Sequence, residues 1–548
     1  MSIRPDHATF PEPLPVVLAA TNMQALSRLL SDVFPLLEPD PRLGIRFSVI
    51  PGSAFERAAH DFLETAGVPV IDWADVRSAR PHLIISCSPS RKLFGTRAKF
   101  MILPHGAGHN RRRADFDGRI YGLAPQQILL RRRLLPWAKA RTPDFLALAG
   151  EAGRRLLRRH CPEAERVSKV IGDVCLERML LSSGPAQRRR YRKALGIEPD
   201  QVLVVSSSTW GDLSLVGRGR LDLVPRLLAS LPMDRFRVGV IAHPNIEHGR
   251  GASLEGVLGP QLANGLIMPT LHDSWRATLI AADVVIGDSG SVTQYAAAIG
   301  KPVLLAAFGF DQMTEGTPLH RFGKESAWLD FDKPFAPQLL DAIERGQPFD
   351  FGEQLAGHLT PSETLPAKTY ELLDTEPPQR TVKPKYLPPP VTVPRCRPTA
   401  VWNFRIRFEA GGAHWKRLPV SEPHEASGTV VARTECDDPR LLTKADVVLS
   451  HDEALPLDQA RDVLDDLRFE WAASSLRSVR IGPDALLLAS ERLPATGVRC
   501  PPAMLDIVPA ALHVWLTQHA AEAPGLDAAD PLVGFQRRFE PPPTFFPV

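Results

Sequence analysis

The chain is poor in several features that would narrow its role at once. Its six cysteines (Cys87, Cys161, Cys175, Cys396, Cys436, Cys500) are scattered along 548 residues, with no CxxC and no histidine at metal-ligand spacing. That pattern excludes a disulfide scaffold and a ribbon-type zinc site, and it reads as reduced thiols. No apolar run nears the roughly 20 residues needed to cross a bilayer, and no basic-then-apolar signal opens the sequence. A cytoplasmic location is the expectation. A GxxxxGK[ST] sequence is lacking, which leaves P-loop NTPase function unsupported. Net charge is only +3, too little to imply a nucleic-acid partner, so any electrostatic argument has to be local.

Length exceeds what one hydrophobic core can organise, and an apolar content of 44% is ordinary for a globular chain, so two or three domains are expected. Short apolar runs alternate with stretches of helical spacing. Pro15 to Ala20, Ile45 to Ile50, Val68 to Ile71, Leu83 to Ser86 and Phe100 to Leu103 read as strands of a parallel sheet wound on both faces. They define a Rossmann-like domain over residues 1–165. Val202 to Ser206, Phe236 to Ala242, Leu266 to Met268, Val284 to Ile286 and Pro302 to Leu305 define a second one over 166–374. Residues 375–394 are dense in proline and read as a semi-rigid linker. The remainder, 395–548, mixes strand-like and helix-like pieces and is expected to be a small α+β domain. Its Pro- and Phe-rich tail is expected on the surface or disordered. The fold class is therefore α/β, two doubly wound domains followed by a linker and an α+β domain.

The stretch from Ala281 to Leu305 organises the second domain. A buried strand gives way to Asp288, Ser289, Gly290 and Ser291, and a helix then runs from Val292 to Ile299, closed by Gly300. A strand, a small-residue turn and a helix leave free N–H groups and a positive dipole end at the carboxyl edge of a sheet, which suits an anion such as phosphate. An ordinary βα turn whose serines only cap the helix fits the same pattern. At the end of the first domain's fifth strand, His105 is followed by Gly106, in the region where such sheets place ligands. It reads either as a proton shuttle or as a turn histidine bonded to backbone. Residues 111–169 carry fifteen Lys and Arg against six Asp and Glu. Within them, 128–137 interleaves apolar residues, arginines and a tryptophan. This segment suits a peripheral contact with an anionic membrane or the gathering of an acidic acceptor, but Pro136 limits any continuous helix and makes it a poor amphipathic anchor, which favours a solvated basic face.

Taken in order, Pro104-His105-Gly106, Gly172-Asp173, the Ser206 to Trp210 loop, His243-Pro244 and Asp288-Ser289-Gly290-Ser291 resemble the loops of GT-B glycosyltransferase-type enzymes. The pattern is closest to the CDP-glycerol glycerophosphotransferase group, with UDP-N-acetylglucosamine 2-epimerases as more distant relatives. The resemblance covers about residues 80 to 310. It implies that the first domain binds the acceptor, with His105 as general base on its hydroxyl. It implies that His243 stands near the donor diphosphate, that Asp288, Ser289, Gly290 and Ser291 form the diphosphate turn, and that Ser208 and Thr209 line the nucleotide pocket. The function implied is transfer of a glycosyl or glycerophosphoryl group from a CDP- or UDP-linked donor to an acceptor hydroxyl, with no cofactor required. Two departures stand out. The signature turn lacks the aromatic residue and paired serines of the glycerophosphotransferases, and Gln294 stands where many relatives carry an acid. A non-catalytic nucleotide-binding protein, its C-terminal domain contacting a partner, is the rival expectation.

Overall fold

The structure, a computed structural model, describes residues 12–53, 56–104, 106–109, 111–113, 119–130, 140–247, 253–270, 274–346, 348–379, 382–410, 412–421, 428–518 and 529–548. The first domain contains β1 (Leu14–Ala20), α1 (Met23–Arg28), β2 (Leu43–Val49), α2 (Glu56–Ala66), β3 (Leu83–Ser86), β4 (Lys99–Ile102), β5 (Phe145–Leu148), α3 (Glu151–His160) and β6 (Ser168–Val170). Its strands form one parallel sheet in the order β2-β1-β3-β4-β5-β6. β3 and β5 are buried along their whole length, as strands covered by helices on both faces must be. Asn22 starts α1 by accepting the Ala25 N–H at 3.0 Å.

After β6 the chain crosses through α4 (Val174–Leu181) and α5 (Pro185–Ala194) into the second domain. This comprises β7 (Val202–Ser208), β8 (Phe236–Ala242), α6 (Ser274–Ala281), β9 (Val284–Gly287), α7 (Ser291–Ala298), β10 (Val303–Leu305) and β11 (Ala327–Trp328). Its sheet is parallel throughout, in the order β8-β7-β9-β10-β11. The carboxyl edges of the two sheets contribute facing walls to one cleft.

Several boundaries differ from the sequence reading. β6, taken as the opening of the second domain, pairs with β5 and closes the first sheet. β5 itself was not anticipated; its four apolar residues lie inside an arginine-rich tract that masks them. Val68 to Ile71 and Leu266 to Met268 are not strands but single bridges, through Val70 to Phe47 and Ile267 to Gly239. Beyond the second sheet, α8 (Gly352–Leu355) leads to α9 (Pro361–Leu373), whose Leu365, Tyr370 and Leu373 are buried in the core of the first domain. The Tyr370 hydroxyl donates to Asp40 at 2.8 Å. The chain thus returns to the domain it began in, and α9 belongs structurally with residues 12–170. Ile128 and Leu129 are buried in the first domain's core, so this end of the 128–137 segment does not face a membrane; 131–137 lie outside the described residues.

The proline-rich stretch is docked rather than free. Tyr191 donates to the Leu387 carbonyl (2.8 Å), the Val391 N–H reaches Ser274 Oγ (3.0 Å), and the Val393 N–H reaches the Met268 carbonyl (2.9 Å). The third domain holds β12 (Val401–Glu409), β13 (Gly412–Pro419), β14 (Thr429–Arg433), β15 (Val447–Ser450), α10 (Leu457–Glu470), β16 (Leu476–Arg480), β17 (Ala485–Ser490), β18 (Thr496–Arg499), α11 (Ile507–Gln518) and β19 (Thr544–Pro547). They form one mixed sheet in the order β13-β12-β14-β15-β16-β17-β18-β19, confirming the α+β class. The tail from Arg537, expected on the surface or disordered, lies along the surface as the exposed edge strand β19, with Phe539 turned into the core.

Candidate functional site

The site begins at the turn after β9. Asp288 is fully buried and faces protein, not the cleft. One carboxylate oxygen accepts the Gly290 N–H (2.8 Å); the other accepts the N–H groups of Thr209 (2.9 Å) and Leu215 (3.0 Å). Burial pushes its pKa up, against those three bonds and the positive charge of Arg111. Asp288 therefore ties the turn after β9 to the loop after β7. It was expected to touch the diphosphate; the structure makes it the fastening beneath that turn.

Above it, Ser289, Gly290, Ser291 and Val292 line the cleft. No side chain caps α7, whose N-cap residue is Gly290, so its first-turn amides are left to other partners. A Cβ at Gly290 would lie 2.9 Å from both Asp288 Oδ1 and Thr209 Cβ, so only glycine fits between the two loops. Ser208 and Thr209 also line the cleft, but the Ser208 hydroxyl is engaged inside its loop, donating to the Thr209 carbonyl (2.9 Å) and accepting the Val216 N–H (3.1 Å).

His243 stands at the end of β8, where its backbone N–H donates to the Ser208 carbonyl (3.0 Å). Its Nδ1 accepts the Asn245 N–H at 3.1 Å. That bond makes Nδ1 the acceptor and places the proton of the neutral ring on Nε2. Trp210, 36% exposed, puts its ring centroid 6.1 Å from the imidazole. The sequence assigns Trp210 no role; the signal it carries is an aromatic residue in an otherwise polar loop.

The first domain contributes Gly106, Gly108, His109 and Arg111. His105 lies outside the described residues; its neighbour Gly106 lines the cleft and packs so tightly that an added Cβ would sit 2.7 Å from Ser291 Oγ. The same Ser291 hydroxyl accepts the Ala107 N–H at 3.2 Å. The first domain's loop therefore rests directly on the start of α7.

Buried ion pairs hold the two domains together behind the cleft. Arg28 of α1 donates to Asp173 (2.7 Å), to the Tyr295 hydroxyl (3.0 Å) and to the Gly106 carbonyl (3.3 Å), and Tyr295 also donates to Asp173 (3.1 Å). Burial pushes the Tyr295 pKa well above its ordinary value and keeps it a donor. Arg276 of α6 donates to Asp32 (3.0 Å). Gln294, at the position where an acid was noted as missing, is buried and donates to the Ser289 carbonyl (3.1 Å), while its own oxygen accepts from Gln354 of α8 (2.5 Å). These residues, separated by up to 267 positions along the chain, carried no local signal of their pairing.

The cleft has a volume of about 280 Å³. Among the described residues, three arginines and two histidines line it, and no carboxylate does. Its charged lining is cationic and lies beside an apolar and aromatic surface. Two tandem Rossmann-like domains with facing carboxyl edges and a helix returning to the first domain define a GT-B architecture. No protein-family model matches the chain, and no curated protein matches it in sequence. Among solved structures, it is similar to the wall teichoic acid polymerase TagF, at 12% identity over 66% of this chain and 89% of that one, TM-score 0.41. A UDP-GlcNAc 2-epimerase from Neisseria meningitidis bound to UDP-GlcNAc matches at 12% identity over 65% and 100%, TM-score 0.39. The Alr3699/HepE protein of Anabaena in complex with UDP and glucose matches at 14% identity over 66% and 99%, TM-score 0.37.

Proposed function

We propose that this chain is a transferase that moves a glycosyl or glycerophosphoryl group from a nucleotide-diphosphate donor to an acceptor hydroxyl. The observation that carries the reading is the cleft itself, where an α7 with no side-chain cap meets His243 on a wall free of carboxylates among the described residues. In this reading the amides at Ser289 to Ser291 receive the diphosphate, and the helix dipole favours its charge. The His243 Nε2–H donates to the leaving phosphate as negative charge develops there. Trp210 offers a face to the base, beside the loop of Ser208 and Thr209, and Asp288 holds both loops in register. His105 removes the proton of the acceptor hydroxyl, the role its family resemblance implies. Because cationic side chains and amides meet the phosphate charge, the scheme calls for no metal.

The test is a thermal-shift screen of the full chain against CDP, UDP, GDP and TDP and their sugar or glycerol conjugates. One base should raise the melting temperature, and its conjugate should be consumed in the presence of an acceptor; a chain indifferent to all of them has another function. His105→Ala should abolish turnover while leaving donor affinity within about twofold.

A second reading rests on Gln294. Its side chain is taken up by Ser289 and Gln354, so the residue that replaces the family's acid is not disposed to bind a ribose. A nucleotide-binding protein without turnover fits that substitution. Donor hydrolysis that disappears in His105→Ala would rule it out.

A further inference from the structure

Two buried glutamines link the first domain's loop to the second domain's turn. Gln354 of α8 donates through Nε2 to the Ala107 carbonyl (2.7 Å) and to Gln294 Oε1 (2.5 Å). Gln294 carries the chain on, its own Nε2 donating to the Ser289 carbonyl (3.1 Å). The direction is set at both ends. Each end is a backbone carbonyl, which only accepts, so Gln354 must turn its nitrogen to Ala107 and Gln294 its nitrogen to Ser289. Gln354 Oε1 is left buried without a partner among the described residues. Such an orphan acceptor asks for an explanation, and the two bonds made by the nitrogen of the same amide supply one. Packing holds α8 in place: a Cβ at Gly108 would lie 3.1 Å from Gln354 Cγ, and one at Gly150 would run into the Glu353 carbonyl.

We propose that Gln294 and Gln354 are positioning residues, a relay of two amides that fixes the peptide between Ser289 and Gly290 and so sets the direction of the amides at the start of α7. This rests on the nucleotide-diphosphate reading of those amides given above. The peptide is held at both of its polar groups, the carbonyl by Gln294 and the N–H by Asp288 (2.8 Å). Its plane cannot turn without breaking one of the two bonds. The relay also accounts for the residue type at 294. A carboxylate there would accept from Gln354 but offer the Ser289 carbonyl nothing, whereas an amide does both. A glutamate at 354 would likewise set oxygen against the Ala107 carbonyl.

The experiment compares the full-length wild type with Gln294→Met, Gln294→Glu and Gln354→Leu, by peptide-level hydrogen exchange and by calorimetric binding of uridine and UDP, and of cytidine and CDP. Without nucleotide, Gln354→Leu should speed exchange in peptides covering 288–292 as well as 106–108, although the former lie one side chain away from it. Exchange that quickens only around 352–356 overturns the relay. For whichever base the wild type accepts, Gln294→Met and Gln354→Leu should weaken the diphosphate about 5- to 20-fold and leave the nucleoside within about twofold. An equal loss for both ligands marks general loosening and overturns the proposal. Gln294→Glu supplies a readout that lost packing does not mimic. Its protonated carboxyl donates as the amide did, its carboxylate does not, and burial raises its pKa. Relative to wild type at the same pH, this variant should bind the diphosphate within about twofold at about pH 5 and roughly 10-fold or more weakly at about pH 8. A ratio that does not change with pH overturns the proposal. So does a Gln294→Met that binds the diphosphate like the wild type, since the effect of the acid is then charge alone. If Gln354→Leu does not fold, the two variants at 294 carry the test. A wild type that binds neither UDP nor CDP overturns the nucleotide reading, and hydrogen exchange then decides the relay by itself.

Discussion

At the scale of single residues, Asp288 shows how a motif can be recognised for the wrong reason. Its place in the turn was legible, but whether a carboxylate faces ligand or protein depends on where the loop after β7 runs, and nothing local in the sequence says so. Asparagine at this position keeps the shape but turns one acceptor into a donor facing the amides of Thr209 and Leu215. Asp288→Asn should therefore lower stability by about 1–3 kcal/mol and loosen both loops, read as a drop in the urea midpoint together with weaker nucleotide binding. A second carboxylate, the partly buried Asp506, works in the third domain. Burial acts to raise its pKa, but bonding to His451 (3.0 Å) and the charge of Arg433 outweigh this and bring it to about 2. His451, its other nitrogen on Ser478 Oγ (2.8 Å), is pushed below its ordinary value by burial. Each shift has the same sign for stability. The His451 contribution is whole above about 6.5 and is lost as the pH falls below that, and the Asp506 contribution is lost as the pH falls from about 4 through about 2. Protection of the β16 amides from hydrogen exchange should decline on acidification from neutral pH, and His451→Gln should remove the part of that decline near pH 6 while lowering the baseline.

At the scale of elements, the parallel strands were legible because burial on both faces leaves a run of branched apolar residues, as in β7 and β9. The antiparallel edge was not. β13 alternates Ala413 and Trp415 with the exposed His414 and Lys416, and solvent on one face erases the run that marks a buried strand. Pairings between elements were less legible still. The Arg28, Asp173 and Tyr295 cluster joins α1, the cap of α4 and α7, and its members gain meaning only from the crossing of the chain. Asp173→Asn leaves Arg28 buried without its counter-charge, and should cost about 3–5 kcal/mol in denaturant unfolding. Where the first domain's loop meets α7, Gly106→Ala and Ser291→Ala should act through one contact. The alanine at 106 turns the serine hydroxyl aside, and the alanine at 291 removes it, so the Ala107 N–H loses its acceptor either way. The double variant should then bind nucleotide no more weakly than the worse single one.

Over the whole molecule, the sequence revealed two Rossmann-like units but not that the chain returns to the first through α9, because Leu365, Tyr370 and Leu373 mark an apolar face without naming the surface that covers it. The third domain sits against the second through Asn264, whose Oδ1 accepts from Ala400 (3.0 Å) and Val401 (3.3 Å) and whose Nδ2 donates to the carbonyls of Val401 (3.3 Å) and Val420. Arg417 adds a bond to Asp234 (2.6 Å). Asn264→Ala should free this seam, seen as faster proteolysis between residues 394 and 401, while nucleotide binding stays unchanged because, among the described residues, none of the third domain lines the cleft.

The docked proline-rich stretch has a mechanical side. Val391 is bonded to Ser274, and the next two residues of α6, Trp275 and Arg276, are part of the cleft wall. A displacement of residues 391–393 would therefore reach that wall through Ser274, one hydrogen bond away and on the same helix.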